Sequence, residues 1–182
     1  MQQRWLSLAV LFGAAYPLLV YFGMHIWPPA VFVVLALSLL GIRIWVMGKT
    51  KPSPFWAALF GVVLVTMISL LLMHQDMAVK AYPIIMSLMV ASVFGLSLIF
   101  SPSAIERIAR ITEPDLPPEG VIYTRRVTMV WLVFLIINAG ISLTTAVWGT
   151  LAQWTLWNGL LSYICMGTLF AAEFMVRRWV RK

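Results

Sequence analysis

Apolar residues in this chain gather into six long stretches that shorter polar segments separate. The stretches cover residues 5–23, 29–46, 54–73, 82–100, 127–148 and 157–175. Each is close to the ~20 residues that an α-helix needs to cross the hydrocarbon core of a bilayer. Because no water reaches the backbone there, each segment must satisfy its own hydrogen bonds, as a helix does. The pattern therefore predicts an all-α, polytopic membrane protein, with six transmembrane helices in a single domain over residues 1–182.

The longest polar segment, residues 101–126, lies between the fourth and fifth stretches. It contains Ser103 and Glu106 at the spacing of a capping box, which marks the start of a helix. Three isoleucines then recur at helical spacing: Ile105, Ile108 and Ile111. We therefore expect a short amphipathic helix in the cytoplasmic headgroup layer, followed by an extended, turn-rich linker over residues 113–120.

The basic residues orient these predicted helices. The chain has 13 Lys and Arg residues against six Asp and Glu residues, and its net charge is +7. With the N-terminus in the cytoplasm, every basic residue except Lys80 falls on the cytoplasmic side, and Lys80 lies in an expected outer link over residues 74–81. The positive-inside rule then predicts a multi-pass protein of a bacterial inner membrane with both termini in the cytoplasm. Because this topology accounts for the positive charge, no nucleic-acid partner is expected.

Four arginines flank the long polar segment and form the first candidate site. They are Arg107, Arg110, Arg125 and Arg126. Arginine binds phosphate through a planar fork of N–H donors, and these residues would lie at the level of the lipid headgroups. They are thus candidate ligands for an anionic lipid headgroup or another anion. Ordinary positive-inside anchoring explains the same residues without a ligand, and both interpretations stay open.

The fifth stretch carries a second candidate, a stripe of mostly polar residues spaced by three or four. Its members are Thr124, Thr128, Trp131, Leu135, Asn138, Ser142 and Thr145. One interpretation is that the stripe, with Thr128, Trp131 and Asn138 among its members, forms hydrogen bonds between helices. The other is that it forms the wall of a groove for a substrate or a lipid headgroup.

The third candidate is Glu173, the one acidic residue inside a predicted span. It lies about one turn from the cytoplasmic end of the sixth stretch. Arg43 is expected at a similar depth in the second stretch, and Arg177 follows Glu173 by one helical turn. An ion pair with either arginine would explain the carboxylate structurally, whereas an ionisable group within a span also suggests a proton-coupling role.

Sequence motifs for catalysis or cofactor binding are absent. The chain contains no P-loop, no Ser-His-Asp arrangement and no HExxH sequence. His25, His74 and Asp76 do not have the spacing of a zinc site, and Cys165 stands alone. We therefore predict no catalytic residue, no metal and no cofactor, and a non-enzymatic role is favoured.

The second half of the chain resembles a family of uncharacterised bacterial inner-membrane proteins that are often encoded beside fatty-acid- or polyketide-like gene sets, including those for aryl polyene pigments. The resemblance lies in residues 103–110 (SAIERIAR), 113–121 (EPDLPPEGV) and 123–128 (YTRRVT), with Trp131 and Asn138. More distantly, the layout of spans and basic loop is similar to the intracellular septation protein A family, which is linked to cell-envelope integrity. The resemblance implies an envelope or lipid-related context in a Gram-negative cell and carries over no catalytic residue.

Three functions agree with these patterns to different degrees. The favoured one is a non-enzymatic inner-membrane component of cell-envelope or lipid biogenesis that binds anionic lipid or a partner protein at its Arg-rich cytoplasmic face. The alternative is a small transporter, or a component of a lipid flippase or exporter, and a membrane-embedded transferase has the least support. The expected partners are membrane lipids, envelope or lipid-biosynthesis proteins and, through small-residue faces such as Gly167 with Ala171, a second copy of the chain.

Overall fold

The computed structural model describes residues 16–47 and 75–180, together with 61, 64–66, 68, 69 and 72 between them. Residues 16–23 form a helical segment, which we call the N-terminal segment. The following elements are α1 (Pro29–Met47), α2 (Gln75–Ile99), α3 (Ala104–Thr112), α4 (Pro118–Val147), α5 (Leu151–Leu156), a π-helical turn (Trp157–Leu161) and α6 (Ser162–Val180). No strand occurs among the described residues, which confirms the all-α prediction for this part of the chain.

In the described part of the chain, three helical runs are long and apolar enough to cross a membrane. They are Asp76–Ile99, Pro118–Val147 and Leu151–Arg178, and they cover the fourth, fifth and sixth predicted stretches except for Phe100 and Trp148. Many of their large apolar side chains are exposed, as expected for helices whose surroundings are lipid rather than water. The protein is therefore membrane-embedded. The second stretch coincides with α1, whereas the first and third lie largely outside the described residues.

The predicted outer link over residues 74–81 is wrong for its described part, since α2 already begins at Gln75 and continues through Pro83. Proline has no N–H, so Pro83 cannot bond to the carbonyl four residues earlier, that of Val79. The hydroxyl of Tyr16 donates to this Val79 carbonyl oxygen at 2.9 Å, and both residues are fully buried. The tertiary structure thereby supplies the hydrogen bond that the helix itself lacks, and the polar residues of 75–81 join the helix.

The linker predicted over residues 113–120 is also shorter than expected, because α4 begins at Pro118. A proline is well placed in the first turn of a helix, where its missing N–H would have no partner within the helix in any case. Glu119 in the same turn is favourably placed at the positive end of the helix dipole. Tyr123 and the arginines that follow it are therefore helical residues and not part of a loop.

Helix α5 begins six residues before the sixth predicted stretch, and its start depends on side chains. The backbone N–H of Gln153 donates to Thr150 Oγ1 at 3.2 Å, and the Gln153 side chain accepts from the backbone N–H of Thr150 at 2.9 Å. This reciprocal pair is a capping box, like the one recognised at Ser103, but it falls in a segment that hydropathy assigns to a link.

The chain separates into two compact units. Unit 1 comprises Met1–Pro83 and Ser142–Tyr163, and unit 2 comprises Ile84–Ile141 and Ile164–Lys182. The described core of unit 1 includes Tyr16, Val20, Phe32, Val33, Val79 and Trp154, and that of unit 2 includes Met89, Ala91, Val127, Leu135 and Ala139. Each boundary falls inside a helix, so α2, α4 and α6 contribute residues to both units. The single-domain organisation stays a prediction.

Candidate functional site

Helix α3 carries two of the candidate arginines, and it is built around a buried carboxylate. Of its nine residues, all within the described part of the chain, only Glu106 is buried. Glu106 Oε1 accepts from Arg110 Nη2 at 2.8 Å and Nε at 3.0 Å, and Oε2 accepts from the backbone N–H of Ser103 at 3.3 Å. The capping-box prediction is thus confirmed through its glutamate, whereas Ser103 Oγ is buried without a hydrogen-bond partner among the described residues.

The first turn of α3 is held by polar side chains from the neighbouring helices of unit 2. The first backbone N–H groups of any helix have no partner within the helix. In α3 the Ala104 N–H donates to Ser97 Oγ of α2 at 2.8 Å, and the Ile105 N–H donates to Thr128 Oγ1 of α4 at 3.3 Å. The fully buried Thr128 also donates to the Thr124 carbonyl at 2.8 Å, so it joins the two helices and does not face an open groove.

The outward face of α3 combines apolar and positively charged groups. Ile108 is 59% exposed and Ile111 is 83% exposed, although they are the apolar residues of an amphipathic helix. Arg107 is exposed on the same side, and its Nε donates to the Pro102 carbonyl at 2.9 Å. A helix that buries a glutamate and exposes two of its three isoleucines, Ile105 being half-buried, is arranged for an apolar environment outside the protein.

The structure separates the four candidate arginines into different environments. Arg110 is engaged by Glu106 and also donates from Nη1 to the Pro114 carbonyl at 3.0 Å. Arg125 and Arg126 are exposed and form no ion pair with a described residue. Around α4, Arg125 is rotated by about 60° from Thr128, which contacts α3, whereas Arg126 is rotated by about 160°. Arg125 therefore lies toward the α3 side of α4, and Arg126 lies away from it.

The C-terminal part of the polar stripe is engaged in hydrogen bonds between helices. In unit 2, Asn138 Nδ2 of α4 donates to Ser87 Oγ of α2 at 3.0 Å, and both residues are buried. Trp131 is half-buried and packs edge-to-face against Phe134, with ring centroids 5.9 Å apart. The bond between Asn138 and Ser87 supports the packing interpretation of the stripe, whereas the Trp131 contact lies within α4.

In unit 1, the stripe residue Ser142 meets a residue that the sequence analysis missed. Ser142 Oγ donates to Asn158 Oδ1 at 2.7 Å, and Asn158 Nδ2 donates to the Trp154 carbonyl at 2.9 Å. Ser142 is fully buried and Asn158 is 3% exposed. Asn158 lies in the π-helical turn Trp157–Leu161. The sequence signal that could have identified Asn158 is a lone amide in an otherwise apolar stretch, one helical turn after Trp154.

Glu173 has two polar partners in unit 2. Tyr123 donates its hydroxyl toward Glu173 Oε1 and toward the Glu173 carbonyl, both at 3.3 Å, and Arg177 Nε lies 3.7 Å from Glu173 Oε1. The predicted ion pair with Arg177 is therefore confirmed, and Tyr123 is a further partner that the sequence did not single out. The side chain of Arg43 lies outside the described residues, so its pairing with Glu173 stays a prediction.

The described part of the chain contains no candidate metal site, because no three His, Cys, Asp or Glu side chains are grouped there to hold an ion. Comparison of the chain with protein-family models, with curated proteins and with solved structures finds no match. The family resemblances noted from the sequence therefore stay expectations, and the geometry of α3 and its neighbours carries the functional argument.

Proposed function

We propose that this chain is a non-enzymatic component of envelope or lipid biogenesis in a bacterial inner membrane, where a basic cytoplasmic face binds anionic lipid. The proposed topology has six transmembrane helices with both termini in the cytoplasm. Its support is the distribution of basic residues, since Lys80 alone would lie on the outer side. In this topology α3 and the start of α4 lie at the cytoplasmic surface.

The observation that carries the proposal is the inverted arrangement of α3. In water, a short amphipathic helix would turn its isoleucines toward the protein and its glutamate toward solvent. Here Glu106 is 4% exposed, while the isoleucines Ile108 and Ile111 face outward. At a membrane surface this arrangement is favourable, because the isoleucines enter the acyl boundary and the exposed arginines meet anionic headgroups.

The paired polar groups favour this proposal over a transport function. A transport path would need polar side chains that are available to a substrate. Asn138 bonds to Ser87, Ser142 bonds to Asn158, and Glu173 bonds to Tyr123 and Arg177. These contacts give the stripe and the carboxylate a role in holding helices together.

The test of the proposal is native mass spectrometry of the protein extracted with its surrounding lipid in nanodiscs. The triple variant Arg107→Gln, Arg125→Gln, Arg126→Gln removes three positive charges but leaves the Glu106–Arg110 pair intact. The matched control, Lys49→Gln, Lys51→Gln, Arg178→Gln, removes the same charge from other positions predicted to be cytoplasmic. We expect anionic lipid to be enriched with the wild type and the control and lost from the triple variant.

Two outcomes would contradict the proposal. Wild-type protein that carries only bulk lipid would show that the basic face selects no anionic lipid. A stoichiometric protein partner without enriched lipid would instead identify the chain as an assembly subunit.

The proposed topology has its own test, based on single cysteines in a Cys165→Ser background. Ile26→Cys should react with a membrane-impermeant maleimide in cells whose outer membrane alone is permeabilised, because it would lie on the outer side. Asp115→Cys should react only after the inner membrane is opened. Labelling in the opposite order would reject the proposed orientation.

A further inference from the structure

We infer that Arg107 is the residue that binds the phosphate group of an anionic lipid, and that Glu106 and Arg110 are positioning residues that hold α3 in the orientation that exposes it. This inference rests on the proposed function and deepens it by separating the ligand residue from its supports. The four arginines that look equivalent in the sequence take different roles because their hydrogen-bond partners differ.

The orientation of α3 is set from its buried side. Glu106 binds both Arg110 and the backbone of Ser103, and Ser97 and Thr128 hold the first turn. With Glu106 inward, helix geometry places Arg107, Ile111 and Ile108 at about 100° to 200° from it around the helix axis. The outward face therefore presents one guanidinium group beside two isoleucines.

The guanidinium group of Arg107 is itself oriented by the backbone. Its Nε donates to the Pro102 carbonyl at 2.9 Å, which restricts the end of a long side chain. The two terminal amino groups have no partner among the described residues and keep their N–H donors for a ligand. A planar pair of donors fits two oxygens of one phosphate group, and such charge-assisted bonds are the stronger class of hydrogen bonds.

Arg110 is less suited to the same task because each of its three guanidinium nitrogens already donates a hydrogen bond within the protein. Nε and Nη2 bind the Glu106 carboxylate, and Nη1 binds the Pro114 carbonyl. A phosphate at Arg110 would have to compete with a carboxylate that is already buried. Arg110 thus acts through Glu106. Its positive charge pairs with the buried carboxylate, and this ion pair keeps α3 in place.

The surroundings favour a lipid over free phosphate as the source of this group. Close to α3 in the chain, Ile99 at the end of α2 is 73% exposed, and the next residue, Phe100, is 66% exposed. Only four residues separate α2 from α3, so α3 starts within about 18 Å of chain length from the end of a candidate membrane span. A phosphate carried on an acyl glycerol satisfies both the arginine and the apolar groups, whereas inorganic phosphate satisfies the arginine alone.

The experiment uses full-length protein in nanodiscs of phosphatidylcholine with phosphatidylglycerol as the anionic probe. Retention of phosphatidylglycerol after mild delipidation is measured by native mass spectrometry. We expect Arg107→Gln to lower retention roughly tenfold, because it removes a charge-assisted bond. Arg107→Lys should be intermediate, since it keeps the charge without the fork. Arg178→Gln, the matched control, should behave as the wild type, because it removes one exposed positive charge from α6 and leaves α3 unchanged.

The positioning roles are tested separately. Arg110→Gln should lower retention and increase hydrogen exchange in α3, and Arg110→Lys, which can still pair with Glu106, should recover much of both. Arg107→Gln should leave exchange in α3 unchanged. If Arg110→Gln accelerated exchange and retention stayed at the wild-type level, the positioning role would be rejected.

The remaining outcomes separate this inference from the proposed function. Wild-type protein without selective retention would reject both. Selective retention that is lost in Arg125→Gln but kept in Arg107→Gln would reject the inference and leave the proposed function standing. Displacement of phosphatidylglycerol by inorganic phosphate at comparable concentration would overturn the lipid source and identify a site for free phosphate.

Discussion

Helix α3 and the polar stripe of α4 both carry polar residues at helical spacing, but the structure uses them in opposite ways. The stripe turns Thr128, Asn138 and Ser142 inward, where each meets a polar partner on another element. Helix α3 turns only its glutamate inward and presents Arg107 with two isoleucines outward. The difference shows that a polar residue in a membrane-embedded chain is a candidate ligand site only where its own partners leave it available.

The physical reason lies in the cost of an unpaired polar group away from water. Such a group has no solvent to bond with, so a folded membrane protein pairs it with another side chain or with a backbone carbonyl. At the membrane surface this constraint relaxes, because headgroups and water supply partners.

The largest effect is expected for Tyr16→Phe, which tests the polar groups that pair inside the protein. The substitution removes the hydroxyl that bonds to the Val79 carbonyl, which Pro83 leaves without its helical partner. We expect a loss of about 2 kcal/mol in the free energy of unfolding, because a buried carbonyl loses its bond. The measurement is a denaturant titration in detergent micelles.

A rescue variant makes this prediction specific. Pro83→Ala restores an N–H that can bond to Val79 within the helix, so Tyr16→Phe should be much less damaging in the Pro83→Ala background. Equal losses in both backgrounds would show that the Tyr16 hydroxyl stabilises unit 1 through another partner, such as the Phe32 carbonyl at 3.5 Å, and not through the Val79 carbonyl.

The next effect is expected at Asn158, whose amide links Ser142 to the Trp154 carbonyl. Asn158→Ala should lower the free energy of unfolding by about 1–2 kcal/mol, since Ser142 Oγ loses its partner in the core of unit 1. Thr168→Ala is the matched control, because its exposed hydroxyl bonds only to the Ile164 carbonyl on its own helix. If Asn158→Ala lowered the free energy of unfolding no more than Thr168→Ala does, the bond between Ser142 and Asn158 would not be a stabilising contact.

The smallest effect is expected at Glu173. Its pair with Arg177 is long, at 3.7 Å, and the Arg177 side chain is 43% exposed. Such pairs contribute little, so Glu173→Gln should change the free energy of unfolding by less than about 0.5 kcal/mol. The same titration measures it, with Arg177→Gln as the reciprocal variant. Proton flux in vesicles that disappears with Glu173→Gln would contradict the packing role and favour the transport alternative.

Several features of this protein follow from local patterns in the sequence. Stretches of about 20 apolar residues predict helices regardless of their neighbours, because the bilayer leaves few other ways to satisfy a backbone. The short helix α3 is equally local, since Ser103, Glu106 and the isoleucine spacing lie within one segment. The ion pair of Glu173 with Arg177 is also local, because the two residues are one helical turn apart, and it was one of the alternatives that the sequence offered.

The start of α2 and the partners of the buried polar residues depend instead on contacts between residues far apart in the chain. Hydropathy placed residues 75–81 in a link, but Tyr16, 63 positions before Val79, bonds to the carbonyl that Pro83 leaves free, and α2 starts early. The partners of Asn138, Ser142 and Glu173 on other helices likewise depend on how those helices pack. Local sequence patterns thus specify where helices form and allow Glu106 to pair with Arg110 one turn later, whereas packing selects which side of α3 is buried and so leaves Arg107 exposed.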